Sequence, residues 1–255
     1  MPDTSTPRDL PRDLPRILVT GASSALGQAV IRQIADGTNV ILAGCHTGCE
    51  RLRELAGQVA STLIPLEADL STEDGLAAFL AAAEAETQTP WAIVHLPAPK
   101  LELLRFKDLS WADFEAQLNL QLRSAVGVLG RFAPRMAKAG QGRVVVALSS
   151  VTLGLPPKAM AHYVTAKHAL LGLTLALAAE YADRGVTVNA VSPGMMQTAL
   201  LDRVPEKLLE IVAAQNPMRR LCTPEDVAPV IAQLLSPTAG YLTGANIPVT
   251  GGAGV

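Results

Sequence analysis

"ILVTGASSALG", residues 17–27, sets a short apolar run directly against a turn held between two glycines. Ile17 to Thr20 reads as a buried strand, and the helix-forming residues resume only at Ala25. Glycine lets a backbone turn sharply and come close to a ligand, while the first turn of a helix offers N–H groups to an anion. A strand, a glycine turn and a helix in that order is how open α/β sheets cradle a phosphate. The stretch therefore predicts both a fold and a place on it.

Working outward, the same alternation repeats. "VILAG" (40–44), "TLIPLEA" (62–68), "AIVHL" (92–96), "RVVVALS" (143–149) and "TVNAVS" (187–192) read as strands. Segments 25–36, 50–60, 73–86, 111–139 and 160–183 carry helical periodicity. Near-continuous apolar strands separated by helices imply a parallel sheet covered on both faces. The expectation is an α/β chain with one doubly wound, Rossmann-type domain over residues 16–255. Residues 1–15 repeat P-R-D-L without an apolar core, so they read as a disordered leader rather than a signal peptide.

Composition excludes several function classes. A net charge of −2 leaves no basic footprint for nucleic acid. The longest uncharged runs are broken by Gly, Pro, Asn or Ser and fall short of a membrane span. The cysteines Cys45, Cys49 and Cys222 cannot all pair, and C-x-x-x-C is poor zinc spacing, so no metal is expected and a reducing cytoplasm is the natural compartment.

Chemistry enters with "AHYVTAKHALLG", residues 161–172. Tyr163 and Lys167 stand four apart and share a helix face, and a cation beside a phenol favours the phenolate. A tyrosine tuned in this way serves as a general acid or base. The alternative is a packed tyrosine beside a lysine that reaches out to water.

Together these motifs resemble the short-chain dehydrogenase/reductase family over residues 16–255, with the β-ketoacyl-acyl-carrier-protein reductases as the similar members. "TGASSALG" resembles the family's T-G-x-x-x-G-x-G, with Ala25 in place of the middle glycine. The resemblance implies a catalytic set of Ser150, Tyr163 and Lys167, since Ser150 stands 13 residues before Tyr163. Ser150 would bind the substrate carbonyl, Tyr163 would protonate it, and Lys167 would hold the nicotinamide ribose and lower the tyrosine pKa. Ser149 next door would point to the opposite face of its strand. Counting from Phe114, and back from Pro134 and Met136, puts Gln121 in the family's asparagine slot, where the helix bends and a relay water is held; Asn119 is the fallback.

The resemblance further implies cofactor contacts from Gly21, Ser23, Ser24, Leu26 and Gly27 in the turn. Cys45 and His46 would follow the second strand, and Asp69 and Leu70 the third. His95, Leu96 and Pro97 stand where the family has N-N-A-G, and a lone histidine there reads as structural. Pro193, Gly194, Met196 and Thr198 belong to "VSPGMMQT", which resembles P-G-x-x-x-T. Asp69 reads equally as the N-cap of the helix after "DLST". Gly44 and Cys45 replace the acidic residue that would bind the ribose of NAD, and His46, Thr47, Arg51 and Arg53 lie nearby, so NADP(H) is favoured over NAD(H).

The resemblance thus implies a cytoplasmic NADP(H)-dependent oxidoreductase acting on a small-molecule or acyl-thioester carbonyl or, in the oxidative direction, on a secondary alcohol of sugar-like or steroid-like kind. The segment after Thr198 is an amphipathic cover that would suit an apolar substrate. A homodimer or homotetramer is expected through the long helices. The alternative is a cofactor-binding partner subunit with weak or no activity, suggested by Ala25, Gln121 and "HLPA" (95–98).

Overall fold

In β1 (Arg16–Thr20), successive side chains leave opposite faces, so Ile17 and Val19 enter one apolar core and Leu18 the other. A computed structural model describes residues 14–253, and residues 1–13 of the expected leader lie outside the described residues. After β1 come α1 (Ala25–Ile34), β2 (Val40–Cys45), α2 (Cys49–Ala56), β3 (Thr62–Glu67), α3 (Glu73–Glu86) and β4 (Ala92–His95). Then follow α4 (Trp111–Leu118), a π-helical turn (Asn119–Arg123), α5 (Ser124–Lys138), β5 (Gly142–Ala147) and α6 (Ala161–Tyr181). The chain ends through β6 (Val186–Pro193), α7 (Glu206–Gln215), α8 (Pro224–Leu235) and β7 (Asn246–Val249).

The strands form one sheet in the order β3-β2-β1-β4-β5-β6-β7, all pairs parallel. Helices α1, α2 and α8 pack on one face through Val30, Leu52 and Ile231. Helices α3, α5 and α6 cover the other through Phe79, Phe132 and Leu170. This is the doubly wound fold that the alternation predicts. The order of addition reverses between β1 and β4, where Thr20 and His95 stand in register. Ligands of such sheets bind outside the strand ends at that reversal.

Two elements differ from the sequence expectation. β7 is an additional strand, four residues long with Pro248 inside it, paired only with β6 at the sheet edge. Proline and partial burial hide such an edge strand from a pattern search. The expected single helix over 111–139 is interrupted by the π-helical turn at Asn119–Arg123. Among the described residues no helix is long and apolar enough to cross a membrane.

Candidate active site

At the carboxyl ends of the strands lies a cleft of about 750 Å³. One end is the glycine turn. Gly21 has φ +69°, and a Cβ there would sit 3.2 Å from the backbone of Leu96 and Pro97. A Cβ on Gly27 would stand 2.5 Å from the carbonyl oxygens of Gly21 and Ala22, so no other residue fits this turn. Ser24 caps α1, its hydroxyl accepting from the Gly27 N–H (3.0 Å) and donating to the Gly21 carbonyl (2.7 Å). Ser23 ties the turn to the end of β2 by donating to the Thr47 carbonyl (2.7 Å). Gly21, Ser23, Ser24 and Leu26 wall the cleft, while Gly27 stands behind them. The methyl of Ala25 is exposed on the cleft wall and leaves the turn intact. A backbone this bare, opening a helix, fits the pyrophosphate of a dinucleotide.

Cys45, His46, Thr47, Arg51, Asp69 and Leu70 wall the next part of the cleft. A side chain at position 44 is barred, because a Cβ on Gly44 would come within 2.8 Å of the Phe79 ring. Asp69 accepts from the backbone (2.9 Å) and hydroxyl (2.6 Å) of Ser71, which hold its carboxyl below the usual range. The N-cap of α3 is Thr72, accepting from the Gly75 N–H (3.0 Å), so the capping reading of Asp69 fails.

Cys45 and Cys49 form a disulfide across this loop, a pairing absent from the sequence reading, and Cys222 is free. In a reducing compartment the same residues would stand as neighbouring buried thiols. Closing so short a loop stabilises by roughly 2 kcal/mol in the chain-entropy picture. Dithiothreitol is therefore expected to lower the melting temperature by about 4–8 °C in a chain of this size. Cys49→Ser should show the same drop and no further response, read by circular dichroism; an unchanged melting curve would count against the bond.

The other end of the cleft is built around Tyr163, only 5% exposed, and Lys167, 2% exposed. The Lys167 Nζ donates to the Ala147 carbonyl (2.8 Å) at the end of β5 and lies 5.7 Å from the centre of the Tyr163 ring. Burial pushes the phenol up to about 12 and the ammonium down to about 7. The expected lowering of the tyrosine is thus not found: the desolvation that raises the phenol also weakens the hold of the neighbouring lysine on its proton.

The Ser149 hydroxyl on the cleft wall offsets part of that rise. Spacing selects Ser150 instead, and both serines line the cleft. The strand ends at Ala147 and Ser149 remains extended (φ −167°), whereas Ser150 opens a 3₁₀ turn.

Gln121 and Asn119 are not among the described residues that wall the cleft. Gln121 is fully buried in the π-helical turn, and its Nε2 donates to Gln117 Oε1 (2.6 Å). Its Oε1 is buried without a hydrogen-bond partner. The amide thus meets Gln117 one turn back along the helix.

His95, expected among the cofactor contacts, also turns away from the cleft, which Leu96 and Pro97 line. Its Nε2 meets the Gln121 carbonyl (3.2 Å), which can only accept, so Nε2 carries the proton. The bare Nδ1 then accepts from the Thr20 hydroxyl (2.9 Å). Burial pushes this imidazole down to about 4, keeping it neutral. His95 thereby pins the opened turn of the helix to the end of β1, a structural role.

Pro193, Gly194, Met196 and Thr198 form the remaining wall. Thr198 caps the short turn at Ala199–Leu201. Sequence reasoning did not single out Leu101 or Leu200, which also line the cleft. Their joining is long-range: the Leu101 N–H donates to the Leu200 carbonyl (2.9 Å).

Comparison with known proteins agrees with this geometry. The family model described as enoyl-(acyl carrier protein) reductase matches residues 21–254. The chain is 31% identical to an acetoacetyl-CoA reductase of Allochromatium vinosum, over 92% of this chain and 96% of the relative. It is 33% identical to the 3-oxoacyl-[acyl-carrier-protein] reductase of Pseudomonas aeruginosa, covering 92% and 95%. Among solved structures it is similar to one described as an NAD(P)-dependent gluconate 5-dehydrogenase from Beutenbergia cavernae with NADP bound at low occupancy, with TM-score 0.86, 30% identity and coverage of 93% and 96%. The cradle, the buried Tyr163–Lys167 pair and these likenesses agree: the chain belongs to the short-chain dehydrogenase/reductase family of NAD(P)(H)-dependent oxidoreductases.

Proposed function

We propose that this chain reduces the carbonyl of a small molecule or acyl thioester with NADP(H), with Ser149, Tyr163 and Lys167 as its catalytic residues. The observation that carries this reading is the buried Tyr163–Lys167 pair, with the Ser149 hydroxyl on the same wall, in the cleft that the glycine cradle opens. Bound NADPH supplies the hydride. The carbonyl oxygen accepts hydrogen bonds from Ser149 and Tyr163, and the Tyr163 proton passes to that oxygen as negative charge develops on it. Lys167, anchored on Ala147, steadies the phenolate left behind and holds the cofactor ribose. A phenol raised to about 12 is protonated at neutral pH, the form a reductase needs.

The preference for NADP(H) is supported by the barred position 44 and by Arg51 on the cleft wall. The cofactor contacts are assigned to Gly21, Ser23, Ser24, Leu26, Cys45, His46, Asp69, Leu70, Leu96, Pro97, Pro193, Gly194, Met196 and Thr198. The relatives support 3-oxoacyl thioesters as substrates. A cofactor that must be recycled by other enzymes supports a cytoplasmic setting. Phe106, Trp111, Val126 and Leu175 are exposed on and beside α4, α5 and α6, which supports a homodimer or homotetramer; a monomer in light scattering would remove that part.

NADPH oxidation with acetoacetyl-CoA, followed by absorbance beside an NADH control, tests the reading. Turnover with a preference for NADPH is expected. A second reading, a cofactor-binding subunit of weak activity, is favoured by the Gln121 amide folded onto Gln117. NADPH binding without turnover on any carbonyl would select it.

A further inference from the structure

The part of the cleft beside Tyr163 is walled by aliphatic side chains. Leu101, Val151, Met160, Leu201 and Val204 form a third apolar cluster with Tyr163, and Met195 and Leu200 pack against it. Leu101, Val151, Met160, Met195 and Leu200 face the cleft. The backbone bond between Leu101 and Leu200 joins the two sides of this wall, one from the segment after β4 and one from the cover before α7. Both sides are also tied by ion pairs, Lys100 with Asp202 (2.7 Å) and Glu102 with Arg203.

Charge is nearly absent from this end. Among the described residues lining the cleft, Arg51, His46 and Asp69 lie at the far end, beyond the glycine turn, and the buried Lys167, bonded to the Ala147 carbonyl, serves Tyr163 and the cofactor ribose. Lys100 is the remaining cation, and Asp202 already occupies it. A substrate carboxylate placed here would meet leucine and methionine, and the nearest cation would bring a competing carboxylate with it. Burying such a charge without a partner is strongly unfavourable.

We infer that the substrate presents a neutral aliphatic or alicyclic group beside its reacting carbonyl, seated on the wall of Leu101, Val151, Met160, Met195 and Leu200, and that polyhydroxylated keto acids are excluded. The inference rests on the oxidoreductase reading above and narrows it to a substrate class. Leu101 is the specificity residue, because it joins the wall to the cover.

The test compares kcat/KM for 3-oxoacyl thioesters of increasing chain length, a neutral cyclic diketone and 5-ketogluconate. Each added methylene should raise kcat/KM about two- to fourfold until the wall is filled. The keto acid should fall short of the diketone by at least about 100-fold. Leu101→Asn should flatten the chain-length dependence with NADPH affinity unchanged. In parallel, calorimetric titration of the 3-hydroxyacyl products into the NADP⁺-loaded Tyr163→Phe protein should show tighter binding per methylene. A flat chain-length series, a preference for 5-ketogluconate, or product binding indifferent to chain length would overturn the inference. Failure of the oxidoreductase reading looks different: no carbonyl turns over, and the calorimetric series still decides whether the wall takes an aliphatic chain.

Discussion

Tyr163→Phe should lower kcat by about 100- to 10,000-fold, the usual worth of a positioned general acid, and leave NADPH affinity unchanged. The substitution removes one oxygen from a ring that is 5% exposed and packed among Leu101, Val151 and Met160, so the cleft keeps its shape. The same phenol sets the pH dependence. Its folded value of about 12 lies above the ordinary 10, so the proton is retained throughout the neutral range. Carbonyl reduction uses the protonated form, so the phenol leaves its rate flat there, and a fall across neutral pH reports Lys167, whose ammonium burial pushes down to about 7. Alcohol oxidation uses the phenolate, whose fraction grows about tenfold per pH unit below the pKa, so the oxidative rate should climb through the alkaline range. Initial rates in both directions check the sign; oxidation that declines as pH rises would contradict it.

The second large effect separates two neighbouring serines. Ser149→Ala should cost about 100-fold in kcat, the scale for removing one donor to a developing oxyanion. Ser150→Ala should cost far less, since Ser150 begins the 3₁₀ turn, whereas Ser149 remains extended and its hydroxyl opposes the rise of the Tyr163 phenol. Steady-state kinetics on the two variants decide the matter. Equal losses, or a larger loss at Ser150, would restore the assignment that spacing favours.

These two residues show what was legible in the sequence. Tyr163 and Lys167 lie on one helix, so their fixed separation carries their geometry, and the structure brings both into the cleft. Gly21 and Gly27 were legible for the same reason, because a strand-to-helix turn is local. The choice between Ser149 and Ser150 was not, because the distance to Tyr163 depends on an irregular loop whose length no periodicity reports. Gln121 was found by counting along a helix, but the register passes through a π-helical turn, and the longer amide chose Gln117 as its partner. His95 sits where a cofactor contact is expected, yet its burial and its bonds to Thr20 and Gln121 become visible only when β1, β4 and the broken helix are assembled. The aliphatic wall is the most hidden feature, since Leu101 and Leu200 meet through one long-range backbone bond.

The most direct measurement is the transfer of deuterium from C4-deuterated NADPH to the product of acetoacetyl-CoA reduction, read by mass spectrometry. Deuterium on the carbinol carbon in the native protein, and its loss together with turnover in Tyr163→Phe, is the predicted result. NADPH bound with no label transferred to any carbonyl, or label transfer that persists undiminished in Tyr163→Phe, would contradict it.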